Sequence, residues 1–160
     1  MKQLLCILFF VTSLHCFSQD KKLLLNISPI ELASYVQSVE TFKITYLSDS
    51  LKVKGYLSKP KEAGIYPCII YNRGGNREFS KLNEKRAAHL LGKLASHGYV
   101  VIASNYRGVD GGEGREEFGG KDIDDVLNLF QLLEEIESAD TSRIGMFGWS
   151  RGGMMTYLAN

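Results

Sequence analysis

The strongest chemical signal in the chain is Gly148-Trp149-Ser150-Arg151-Gly152-Gly153. A serine hydroxyl is a weak nucleophile until a base takes its proton and its oxygen stands clear of the chain. Gly-x-Ser-x-Gly achieves the second condition when it joins a strand to a helix. The turn is tight, and Gly148 and Gly152 omit side chains that would otherwise collide across it. Alone the pattern is weak, and a plain glycine-rich connection also fits it. Here it links the apolar run Arg143–Phe147 to an apolar helix start after Ser150, which favours a nucleophile elbow centred on Gly148, Trp149 and Gly152. The start of that helix favours negative charge beside the serine.

Two further loops fit the same site. Tyr71-Asn72-Arg73-Gly74-Gly75-Asn76 follows an apolar run. Its glycines let backbone N–H groups approach a tetrahedral oxyanion, with the N–H of Arg151 as another donor. Gly74-Gly75 is equally readable as a turn needing positive φ. Asn105-Tyr106-Arg107-Gly108 follows the next apolar run, where Arg107 either lines a substrate cleft or pairs with a nearby acid. Asp122, Asp124 and Asp125 open a helix, and stabilising its positive end is their expected role. Cys68, inside Pro67-Cys68-Ile69-Ile70-Tyr71, is expected to be a buried, inert thiol. His89 and His97 both precede the serine; His89 falls mid-helix and His97 at a helix end beside Gly98.

The elements that must position these groups alternate in type. Residues 28–39 predict a short helix, with Ser28 as cap and Pro29 at its first position. Thr41–Leu47 and Leu51–Ser58 alternate apolar and polar residues across Ser48-Asp49-Ser50 and predict an antiparallel hairpin. Pro67–Asn72, Tyr99–Ser104 and Arg143–Phe147 are continuous apolar runs, the mark of strands buried on both faces. Helices are predicted over 79–97, over 121–138 and after Ser150. Buried strands alternating with amphipathic helices give a mostly parallel sheet with helices on both faces, and reactive groups at the strands' C-terminal ends.

At 160 residues, 44% hydrophobic and 23% charged, the composition is that of a globular domain. Nineteen basic against eighteen acidic residues, with no basic run, argue against a nucleic-acid or anionic-membrane partner and for a small or neutral one. No cofactor or metal is expected. Gly119-Gly120-Lys121-Asp122 lacks the Ser/Thr and upstream Gly of a phosphate loop. Residues 1–18 read as a signal peptide: Lys2, an apolar stretch Leu4–Leu14 too short to span a bilayer, and cleavage before Gln19. The protein is therefore expected to be secreted or periplasmic. Residues 19–40 form a lead-in and 41–160 the catalytic-type domain.

Four segments together resemble the catalytic domain of the prolyl oligopeptidase family. They are Tyr71-Asn-Arg-Gly-Gly, Asn105-Tyr-Arg-Gly-Val-Asp-Gly-Gly-Glu-Gly, Gly120-Lys-Asp-Ile-Asp-Asp-Val and Gly148-Trp-Ser-Arg-Gly-Gly. The resemblance covers residues 41–160 and implies the α/β-hydrolase fold, truncated after its fifth strand. It implies Ser150 as nucleophile, with the Arg151 N–H and the Gly74–Asn76 loop (Gly74, Gly75, Asn76) as oxyanion hole. The substrate is then a small peptide or, as in related esterases, an ester. Two departures accompany it. The short lead-in leaves no room for the β-propeller many members carry. The family order is Ser, Asp, His, and the sequence ends ten residues after Ser150, so the 160 residues are expected to be inactive. An inherited scaffold serving as a binding module is the remaining alternative.

Overall fold

The computed structural model describes residues 22–31 and 37–160. Six strands, β1 (Leu24–Pro29), β2 (Val39–Ser48), β3 (Leu51–Pro60), β4 (Tyr66–Asn72), β5 (Val100–Ser104) and β6 (Ala139–Gly148), form one sheet. Its order is β1-β2-β3-β5-β4-β6. Three helices accompany it: α1 (Glu84–Ala95), α2 (Asp124–Glu134) and α3 (Arg151–Leu158). This is the α/β-hydrolase architecture that the motifs implied. Parallel pairing is confined to β4 with β5 and β4 with β6, while β1, β2, β3 and β5 pair antiparallel. The strand expected as fifth is therefore the sixth described.

The expected hairpin is present. Ser48 pairs with Leu51 across Asp49 and Ser50, whose φ values of 49° and 69° suit the turn that matches strand twist. The helix expected over 28–39 does not begin at Ser28. Ser28 and Pro29 end β1, paired to Lys43 and Phe42. Pro29 misled because a proline fits the first turn of a helix, yet it is equally tolerated on an edge strand. Residues 32–36 of that span, and the proposed signal at 1–18, lie outside the described residues.

Period-two alternation in the central strands fills two layers. In β5, Val100 and Ile102 face a core shared with Ile70, Leu129, Leu132 and Met155, so α2 and α3 cover that face. Val101 and Ala103 face the other way, onto Ala87, Leu91 and Ala95 of α1. α1 starts at Glu84, not 79, because Asn83 caps it by accepting the Arg86 N–H at 2.9 Å. Leu82, just upstream, is held instead by Asn105, whose side chain accepts from its N–H and donates to its carbonyl, both at 2.9 Å. The helix expected over 121–138 divides into a single 3-10 turn at Lys121–Ile123 and α2. No described helix is long and apolar enough to cross a membrane.

Since β4, β5 and β6 are parallel, the loops after Asn72, Ser104 and Gly148 leave the same edge of the sheet. The β2–β3 turn lies there too, because β3 runs antiparallel to β5.

Candidate active site

Ser150 sits between the end of β6 and the first residue of α3 with φ 56° and ψ −121°. A non-glycine residue there is strained, and such strain persists only when the surroundings enforce it. What enforces it is the close crossing of two backbones. A Cβ on Gly152 would lie 1.9 Å from the Asn72 carbonyl oxygen, and one on Gly148 would lie 2.1 Å from the Gly152 oxygen. Only glycines allow β4, β6 and α3 to meet this closely. Ser150 is exposed, and its side chain makes no capping hydrogen bond to the helix it precedes. Asn72 ties β4 to α3 by donating to Thr156 Oγ1 at 3.0 Å, and Thr156 in turn donates to the Gly152 carbonyl.

The Gly74–Asn76 loop lies against this elbow. A Cβ on Gly74 would stand 3.5 Å from Ser150 Cβ. Gly75 has φ 79°, so the turn-forming reading of the glycine pair also holds. Asn76 is exposed. As the first residue of α3, Arg151 has an N–H that no helical carbonyl reaches.

Beneath the loop is a buried charged cluster. Arg73 Nη2 and Arg151 Nη1 both donate to Glu116 Oε1, the former at 3.0 Å, and Arg151 Nη2 donates to Asp122 Oδ2. All four side chains are almost wholly buried. Both guanidinium carbons lie over the Tyr106 ring, 4.9 and 4.7 Å from its centroid, and Arg151 also lies over Phe118. Burial lowers the Arg73 pKa, with Glu116 opposing that shift, and burial raises that of Tyr106.

Arg107, the candidate cleft residue, is buried instead. It donates to both Asp125 oxygens from Nε (3.1 and 3.2 Å), and from Nη2 to Asp125 at 2.8 Å and Asp49 at 2.7 Å. Burial opposes its charge, but the hydrogen bonds to Asp125 and Asp49 outweigh that and raise its pKa. Its guanidinium is thus committed to the reading in which it pairs with acids. The aspartates expected merely to stabilise a helix end are correspondingly divided, Asp122 to Arg151 and Asp125 to Arg107. His97 lies in the turn just after α1, at the opposite edge of the sheet, and His89 is exposed on α1, across the sheet from α3. Neither is brought to Ser150. Cys68 is buried, and burial pushes its thiol up to about 11. Among the described residues no group of three or more His, Cys, Asp or Glu is placed to hold a metal.

Sequence reasoning missed Glu116 and the roles of Arg73 and Arg151. The usable signal was two arginines flanking glycine-rich loops, which when buried require carboxylates.

Residues 86–160 match the family model of the prolyl oligopeptidase family, the span that runs from α1 through the elbow. The chain belongs to the prolyl oligopeptidase family. It is 42% identical over 122 residues to the uncharacterized peptidase YtmA of Bacillus subtilis, covering 76% of this chain and 46% of that one. Among solved structures it resembles the acylaminoacyl peptidase of Pyrococcus horikoshii. There the identity is 27% and the TM-score 0.58, over 78% of this chain and 21% of that one. It also shares the fold of an acetyl xylan esterase from Paenibacillus sp. R4, at 18% identity and TM-score 0.65, over 84% of this chain and 48% of that one. This prolyl oligopeptidase family chain thus spans under half the length of each of these three proteins, and it carries the N-terminal part of the family's catalytic domain.

Proposed function

We propose that this sequence is the nucleophile-bearing part of a secreted serine peptidase that cleaves small peptides by acyl transfer. The observation that carries the proposal is Ser150, exposed and held at φ 56° by the Gly148–Gly152–Asn72 crossing. In the reaction a base takes the Ser150 Oγ proton as Oγ attacks the substrate carbonyl. The oxyanion is stabilised by the Arg151 N–H and by N–H groups of the Gly74–Asn76 loop. The tetrahedral intermediate collapses with loss of the amine, which takes up the proton, and water hydrolyses the acyl-serine. Neither His89 nor His97 is placed to act as that base, and the proposal is that the 160 residues alone are inactive.

The test uses the natural protein that carries this sequence. Wild type should hydrolyse proline-containing aminoacyl amides and take up one fluorophosphonate at Ser150. Ser150→Ala should lose several orders of magnitude in kcat and all labelling. Preference for short acyl esters over the amides would make it a carboxylesterase of the same fold, and absence of labelling would leave only a binding module. Secretion is tested by N-terminal sequencing of exported material, which should begin at Gln19.

A further inference from the structure

The geometry points to Glu116 as a positioning residue that orients the oxyanion donors of the Gly74–Asn76 loop, an inference that rests on the proposed role of Ser150. Three successive carbonyls of the loop are held by the buried cluster. The carbonyl of Arg73 accepts from Tyr106 Oη at 3.0 Å, that of Gly74 from Arg73 Nη1 at 3.0 Å, and that of Gly75 from Arg151 Nη1 at 3.3 Å. In a trans peptide the N–H points opposite to the C=O. Each held carbonyl therefore turns the next residue's N–H away from the cluster, and Gly74, Gly75 and Asn76 present a row of donors on the other side. Successive N–H groups pointing into one concavity make an anion site.

Glu116 keeps the two arginines in register. Its Oε1 accepts from both, and its Oε2 accepts from the Arg77 N–H, which pins the far side of the same loop. Arg151 immediately follows Ser150. One carboxylate thus joins the residue that begins α3 to the loop that supplies the donors, so the donors and the nucleophile hold a fixed mutual position. Asp122 completes the charge balance on the Arg151 side. Glu116 reaches no part of Ser150, so it positions the site and performs no chemistry.

The experiment replaces Glu116 by its neutral isostere in the natural protein. Per folded molecule, Glu116→Gln should lower kcat for p-nitrophenyl acetate about 10²-fold, the scale of one misplaced oxyanion donor. KM should stay within about threefold, since substrate is not touched, and fluorophosphonate labelling of Ser150 should slow by a similar factor. A folded variant with wild-type kcat and labelling rate overturns the inference, as does a loss that only follows the folded fraction. Should Glu116→Gln not fold, the wild-type protein decides. On phosphonylation of Ser150, the amide proton resonances of Gly75 and Asn76 should move downfield, and resonances that stay in place overturn the assignment. A wild type that takes no phosphonate at all refutes the nucleophile reading itself, and this inference with it.

Discussion

Replacing Gly152 by alanine should damage this protein more than any other single added methyl group near the elbow. The new Cβ would sit 1.9 Å from the Asn72 carbonyl oxygen, 2.7 Å from its carbonyl carbon and 3.0 Å from the Arg73 carbonyl carbon. All three are main-chain atoms, so no rotamer change relieves the overlap, and the nearest is more than an ångström short of van der Waals contact. Overpacking costs typically about 1–3 kcal/mol, and an immovable obstacle puts this case near about 3. The better helix propensity of alanine returns about 1 kcal/mol. The net loss of about 2 kcal/mol corresponds to about 4–8 °C in Tm for a chain of this size. Because Asn72 leads directly into the Gly74–Asn76 loop, a shift of about 1 Å there should also slow phosphonate labelling of Ser150 about 10²-fold. Thermal unfolding followed by far-ultraviolet circular dichroism measures the first effect. The control is Gly145→Ala, whose Cβ meets nothing within 4 Å, and which should stay within about 0.5 kcal/mol of wild type. Equal Tm values for the two variants would refute the crossing as the reason for glycine.

Gly75→Val should slow Ser150 phosphonylation by at least about 10²-fold, since its φ of 79° is hostile to a β-branched residue and its Cβ would meet the Phe79 oxygen at 2.3 Å. Cys68 should resist a disulfide reagent at pH 8 until the protein unfolds. Its folded pKa is raised to about 11, so the native state holds a proton that the unfolded thiol gives up sooner. Stability should therefore decline as pH rises from about 9 towards 11, and Cys68→Ala should remove that part of the decline, as read by urea titration. Isolated residues 1–160 should show no p-nitrophenyl butyrate hydrolysis above their Ser150→Ala form. They should also associate in size-exclusion chromatography, because Phe147 and Tyr157 are exposed beside β6, which pairs only with β4 among the described residues. Serine-dependent turnover by a monomer would contradict both expectations.

Much of the site was legible because its constraints are local. Glycines at 148 and 152 around a serine, between an apolar run and a helix start, specify the elbow without reference to anything distant. β4 and β5 were legible for a similar reason, as runs buried on both faces need no partner to be recognised; β6 was expected to be buried in the same way, but it ends the described sheet and is half-buried or exposed along its length. What the sequence concealed is long-range. Arg107 reads as a cleft cation or as half of an ion pair until Asp125, eighteen residues on, is seen to hold it with two oxygens. Glu116 stands among several acids in a glycine-rich loop, and nothing local marks it as the one that Arg73 and Arg151 share. Ser28-Pro29 was misread because helix starts and edge-strand ends tolerate the same residues, and the choice between them was made by pairing to β2.

Trp149 is the chain's only tryptophan and stands 76% exposed, next to the serine at the crest of the elbow. All of the indole emission of residues 1–160 therefore originates within one residue of the proposed nucleophile. In the folded state that emission should be red-shifted by water, and anything that covers the crest, whether an acyl group, a bound peptide or another segment of polypeptide, should shift it to the blue. Occupancy of the site can thus be followed in real time, without a label and without turnover, even in forms of the protein that catalyse nothing.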